Sequence, residues 1–198
     1  MITLIFEKTG AGVYLAHTDI LRNVIRTFRR AGISMNYSKG FSPHMRLYLN
    51  QPLPFGTASI SDFVTADTEM EISEKEIIEL FNKCAPSFLR AKRAYFTKKN
   101  PKLSGKISAC RYVVSRGKSE NLPKEFLEEN KEKILELRDT EQGLECALTF
   151  GLNNMRIDAF TKALNLSLTA AFRTAQLIEE NGKLITVEEY LKACEESI

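Results

Sequence analysis

The sequence predicts an α+β protein of two tandem ferredoxin-like (βαββαβ) units with antiparallel sheets. Three observations lead there. β-branched and aromatic runs alternate with helical patterns in the order βαββαβ across residues 2–97. The same order repeats across residues 106–178. Between them lies Lys99–Gly105, KNPKLSG, whose proline, glycine and lysines suit a linker. The expected division is a basic unit over residues 1–99 and an acidic unit over 106–198 that ends in a helical tail.

Each element has its own signal. Ile2–Lys8, ITLIFEK, reads as a strand, and Gly10-Ala11-Gly12 as a turn after which Val13–Leu15 extends or ends that strand. A helix starts at His17 or Thr18 and runs to about Arg30. Ile20, Leu21, Val24, Ile25 and Phe28 recur at helical spacing on it. Gly32 stops it. Asn36–His44 is turn chemistry, Arg46–Leu49 a short strand and Ser61–Thr68 an alternating strand. Ser73 with Glu76 forms a capping box that opens a helix to about Lys83, and Phe88–Thr97 is a basic strand. In the second unit, Lys106–Ser115 is a strand and Lys124–Lys131 a helix. Ile134–Asp139 and Leu144–Phe150 form a hairpin. Arg156–Leu164 is a helix, Leu168–Ile178 a strand with helical character in Ala170–Arg173, and Val187–Glu196 a short helix.

The net charge of +3 is a sum of opposites. Residues 1–119 carry 19 Lys/Arg against 9 Asp/Glu, and residues 120–198 carry 9 against 16. Such asymmetry points to a polyanion partner for the basic part, although a solvated lysine face gives the same count. The 198 residues hold no apolar run long enough to span a membrane. The start, MITLIFEKTG, has neither a basic n-region nor a small-residue cleavage site, so the expected compartment is the cytoplasm. Cys84, Cys110, Cys146 and Cys194 form no C-x-x-C pair, so neither a zinc site nor a disulfide is expected. Nucleotide-binding and serine-hydrolase motifs are lacking.

Candidate chemistry concentrates between His17 and Arg46. His17 and Asp19 stand at the mouth of the first helix, where Asp19 suits a cap and the pair also suits a ligand. Arg22, Arg26, Arg29 and Arg30 fall on the side away from the apolar stripe. The stretch Tyr37-Ser38-Lys39-Gly40-Phe41-Ser42-Pro43-His44 interleaves aromatic, hydroxyl and cationic groups. Gly40 lets backbone N–H groups approach an anion, Lys39 and Arg46 supply charge, and Tyr37 or Phe41 offers a stacking face. His44 suits a proton donor or acceptor. Arg173, among small apolar residues, is either a snorkelling surface group or a paired group facing the other unit.

The ordered blocks F-E-K-T-G at Phe6–Gly10, Y-L-A-H-T-D-I-L-R at Tyr14–Arg22, R-R-A-G-I at Arg29–Ile33, Y-S-K-G-F-S-P-H at Tyr37–His44 and P-L-P-F-G at Pro52–Gly56 resemble a radical-SAM-linked protein family of unknown function. Its members occur fused to, or encoded beside, radical SAM proteins that often bind B12. The resemblance is strong over residues 2–70 and continues weakly at Met155–Asp158 and Phe172–Ala175. Ala16, Ser42 and Met45 stand where the family usually has serine, asparagine and proline. The resemblance implies a radical SAM partner, and the family's neighbourhood of RNA-processing and ribosomal genes implies RNA. The tandem architecture is also similar to that of CRISPR repeat-RNA-binding proteins, a likeness of fold alone.

The expectation is a non-catalytic RNA-binding accessory protein, without metal or cofactor. It would work with a radical SAM enzyme in tRNA or rRNA modification or processing. One alternative is a metal-independent endoribonuclease that uses His17 and His44 as general acid and base. Another is a protein-interaction subunit of a radical SAM enzyme without RNA contact.

Overall fold

Strand β1 (Ile2–Lys8) is the hub of the N-terminal half in a computed structural model that describes residues 1–151 and 154–196. It pairs antiparallel with β3 (Ala58–Ala66) on one side and β4 (Leu89–Phe96) on the other. β2 (Leu47–Leu49) pairs with the far end of β3, giving the order β4-β1-β3-β2. The C-terminal half has β5 (Ile107–Val114), β6 (Ile134–Thr140), β7 (Gly143–Thr149) and β8 (Ala171–Glu180) in the order β8-β5-β7-β6. A ninth strand, β9 (Lys183–Thr186), turns back onto β8. The halves meet where β3 and β8 run parallel through Ala58↔Phe172 and Ser59↔Arg173. One mixed nine-stranded sheet thus crosses both halves.

Period-two alternation explains the faces of the first half. Ile2, Leu4, Phe6, Val64 and Ala66 are buried under α1 (His17–Arg30) and α2 (Glu74–Cys84). Ile20, Val24 and Phe28 of α1 meet Ile77 and Phe81 of α2 there. The Phe28 and Phe81 rings cross edge to face at 5.4 Å. On the other face, Ile5, Phe63 and Tyr95 join the cluster of the second half and α5 (Val187–Glu196). The Tyr95 hydroxyl donates to Glu188, and the Phe96 N–H donates to Glu195. The second half packs Cys110, Tyr112, Cys146 and Leu148 against Ile157 and Phe160 of α4 (Ile157–Ala163). The short α3 (Lys124–Glu129) adds Phe126 against Phe160.

The capping box forms as read: the Ser73 Oγ accepts from the Glu76 N–H while the Glu76 carboxylate accepts from the Ser73 N–H. Ser73→Ala should cost about 1 kcal/mol in urea unfolding.

Several details differ from the sequence expectation. Gly10–Tyr14 closes as a 3-10 turn rather than extending β1. β3 begins at Ala58, before Ser61. The helical character ahead of β8 lies in Leu168–Ala170. β9 was not expected. The stretch read as a linker is docked: Leu103 is buried, Gln51 Nε2 donates to the Ser104 carbonyl, and the Ser104 hydroxyl donates to that of Leu49. Its contacts explain this, because a buried leucine and two hydrogen bonds offset the entropy of a free loop.

Candidate functional site

Two places collect polar side chains around α1. The first is its outer surface. The apolar positions of α1 face the sheet, so Arg22, Arg26, Arg29 and Arg30 form an exposed stripe. They are not equally free. Arg22 pairs with Asp19 at 2.9 Å, and Arg30 donates to the Cys84 carbonyl at 2.6 Å. Arg26 and Arg29 have no partner among the described residues. Asp19 therefore acts within α1, in its first turn, where a carboxylate also complements the helix dipole.

Beyond the C-terminal end of α1, residues 36–46 form a small projecting hairpin. Tyr37 and Met45 bridge it, the Ser38 N–H donates to the His44 carbonyl, and the Arg46 N–H donates to that of Asn36. The Ser38 hydroxyl accepts from the His44 N–H, and His44 Nδ1 lies 2.9 Å from the Ser42 carbonyl. These bonds hold the arms and leave the tip outward. Phe41 is fully exposed there, Tyr37 is exposed, and Lys39, Gly40 and Ser42 face solvent. Gly40 has a φ of +127°, a backbone state that side chains disfavour. Arg46 is tied to Asp67 at 2.6 Å.

The second place is buried at the opposite end of α1. Lys8 and Asp62 lie on the sheet face beneath the start of the helix, and each is only 4% exposed. Arg173 reaches from β8 to Asp62 at 2.7 Å and is 1% exposed. Of the two readings of Arg173, the paired group facing the other half is the one observed. Lys8, His17, Asn50, Gln51 and Asp62 line one cavity of about 10 Å³, room for about one water. Lys8 Nζ and the His17 ring have no hydrogen-bond partner among the described residues. Burial holds Lys8 below its ordinary value, aided by the Arg173 charge and opposed by Asp62. Burial likewise lowers His17 below 6.5. Both shifts reflect the cost of a cation in a poorly hydrated site.

The structure thus divides the expected site. Tyr37–Arg46 and the α1 arginines share one end and one outer surface, whereas His17 and Arg173 belong to the buried cluster. His17 and His44 are not brought together. His17 is the first residue of a 14-residue helix and His44 lies beyond its other end, a helix about 21 Å long from its rise per residue. The sequence reading missed Lys8, Asp62, Asn50 and Gln51. Among the described residues, no group of three or more His, Cys, Asp or Glu is placed to hold a metal ion. No described helix is long and apolar enough to cross a membrane.

The fold and these surfaces define a mixed α+β protein with an exposed cationic helix and an aromatic-tipped hairpin at one end. Residues 2–146 match the family model DUF2344, described as an uncharacterized protein conserved in bacteria. The chain belongs to that family. No curated protein matches it.

Proposed function

We propose that the protein is a non-catalytic RNA-binding accessory factor that works beside a radical SAM enzyme in tRNA or rRNA modification or processing. The observation that carries the RNA reading is Phe41, fully exposed at a hairpin tip beside Lys39. An exposed aromatic ring with a cation near it in the same hairpin tip suits an unpaired base and its phosphate. The arginine stripe of α1 extends the cationic surface. The radical SAM partnership rests on the five ordered sequence blocks. The finer fold reading, two ferredoxin-like units, draws support from the matching strand orders β4-β1-β3-β2 and β8-β5-β7-β6.

Fluorescence anisotropy of the full chain with labelled total tRNA tests the RNA reading. Arg26, Arg29 and Lys39 are unpaired among the described residues. Three phosphate contacts predict a log–log salt slope of roughly −2 to −3, so a fourfold rise in salt weakens binding about 20- to 40-fold. Arg26→Gln with Arg29→Gln should flatten the slope by about two. Phe41→Ala should weaken binding roughly 5- to 150-fold without changing the slope. A flat salt response overturns the proposal. New RNA ends would favour the nuclease. Capture of the radical SAM protein that survives nuclease treatment, without any RNA shift, would favour the protein-interaction subunit.

A further inference from the structure

We infer that the cavity at the N-terminus of α1 is an oxyanion site, which takes one oxygen of a phosphate or carboxylate between Lys8 and the first turn of the helix. It lies at the other end of α1 from the hairpin and does not depend on RNA binding.

Three groups at or near this cavity lack a hydrogen-bond partner among the described residues, beside its one carboxylate, Asp62. Lys8 is 4% exposed and lines the cavity, yet its ammonium has no partner among the described residues. An ammonium on so buried a side chain, without a hydrogen bond, is costly, so such groups are normally paired. The N-cap of α1 is Ala16, which makes no side-chain bond. The Asp19 and Ile20 N–H groups donate to the Ala16 carbonyl, while those of His17 and Thr18 have no acceptor among the described residues. The His17 ring lines the same cavity.

The charge balance selects an anion. Asp62, the carboxylate in the cluster, is already engaged by Arg173 at 2.7 Å. Arg173 and Lys8 thus share a single carboxylate, which leaves one positive charge in excess beside the positive end of the helix. An entering anion satisfies both, as helix N-termini do for phosphates elsewhere. A water in the same place would satisfy hydrogen bonds and not charge. With about 10 Å³ available, one oxygen enters and the rest of the group stays outside. Partly exposed His17 and Gln51 form the rim.

The test is an NMR titration of isotope-labelled full-length protein. Sodium phosphate and sodium acetate are added in separate arms at constant ionic strength. Saturable shifts of the His17 and Thr18 amides and of the Lys8 side chain are expected at millimolar anion. A response to phosphate alone identifies a phosphoryl ligand, and a response to acetate alone a carboxylate. Lys8→Met and Lys8→Gln should each weaken binding roughly tenfold or more while both keep the parent amide spectrum elsewhere. Arg26→Gln with Arg29→Gln should leave it unchanged, which separates this site from the RNA surface. No saturable shift at tens of millimolar of either anion would overturn the inference. So would binding that is equal in both Lys8 variants and the parent.

Discussion

Asp62→Ala should destabilise the protein by about 3–5 kcal/mol, the largest loss expected from any single polar substitution in this chain. Asp62 and Arg173 are 4% and 1% exposed and meet at 2.7 Å. Removing the carboxylate leaves a guanidinium that cannot shed its proton at any pH of interest. It also leaves that cation near Lys8, whose charge Asp62 now offsets. Arg173→Met should cost less, because Lys8 remains to balance the stranded carboxylate. Replacing both partners by Asp62→Leu with Arg173→Met should recover most of the loss, since a buried pair is about as good as a well-packed apolar one. Urea unfolding of the parent, Asp62→Leu, Arg173→Met and the double variant gives the coupling directly. The position of the pair raises a second expectation. It spans the short β3–β8 seam, whose register holds only Ala58↔Phe172 and Ser59↔Arg173. In Asp62→Ala, fluorescence and circular-dichroism transitions should therefore separate, as the halves lose their joint transition. A loss below about 1 kcal/mol with coincident transitions would mean that the seam is held by backbone pairing and the shared core instead.

Local rules made most of the elements legible. The alternation in ITLIFEK, the apolar stripe of α1 and the Ser73–Glu76 box each depend on neighbours in sequence, and each formed as expected. What stayed hidden depends on partners far along the chain. Asp62 and Arg173 are 111 residues apart, and nothing local distinguishes a paired buried arginine from a snorkelling one. The docking of Leu103 is likewise tertiary. Lys8 is a different case, because its signal was present. Ile2, Leu4 and Phe6 alternate onto the helix-covered face, and continuing the period places Lys8 on the same face. Asp62 precedes Val64 and Ala66 in the same way. A charged residue that completes an otherwise apolar face conflicts with its pattern, and such conflicts mark functional sites. The exposed end was easier to read, because a loop of glycine, proline and aromatics carries its own turn chemistry. Even so, Asp19 and Asp67 had to be seen in place before Arg22 and Arg46 could be recognised as engaged.

Lys8→Met should behave in the opposite way to Asp62→Ala and make the protein more stable. The lysine is buried, its ammonium has no hydrogen bond among the described residues, and burial lowers its pKa below the ordinary 10.5. Methionine fills a similar volume with a flexible apolar chain and removes the desolvation cost, about 1–3 kcal/mol by comparison with other buried polar groups. For a chain of this size the thermal midpoint should rise by about 2–10 °C. The sign with pH follows from linkage. Between the lowered native value and 10.5 the unfolded chain holds more protons than the native one, so the parent gains stability as pH rises through that window. The advantage of Lys8→Met is therefore greatest at neutral pH and narrows toward 10.5. Thermal melts of both proteins at neutral and alkaline pH measure this. A lower midpoint for Lys8→Met at neutral pH would mean that Lys8 stabilises the fold through Asp62. A higher midpoint together with a lost response to phosphate or acetate separates the two roles. The fold would then be carrying an unpaired cation at a net cost, and the compensation for that cost would come from the anion it holds.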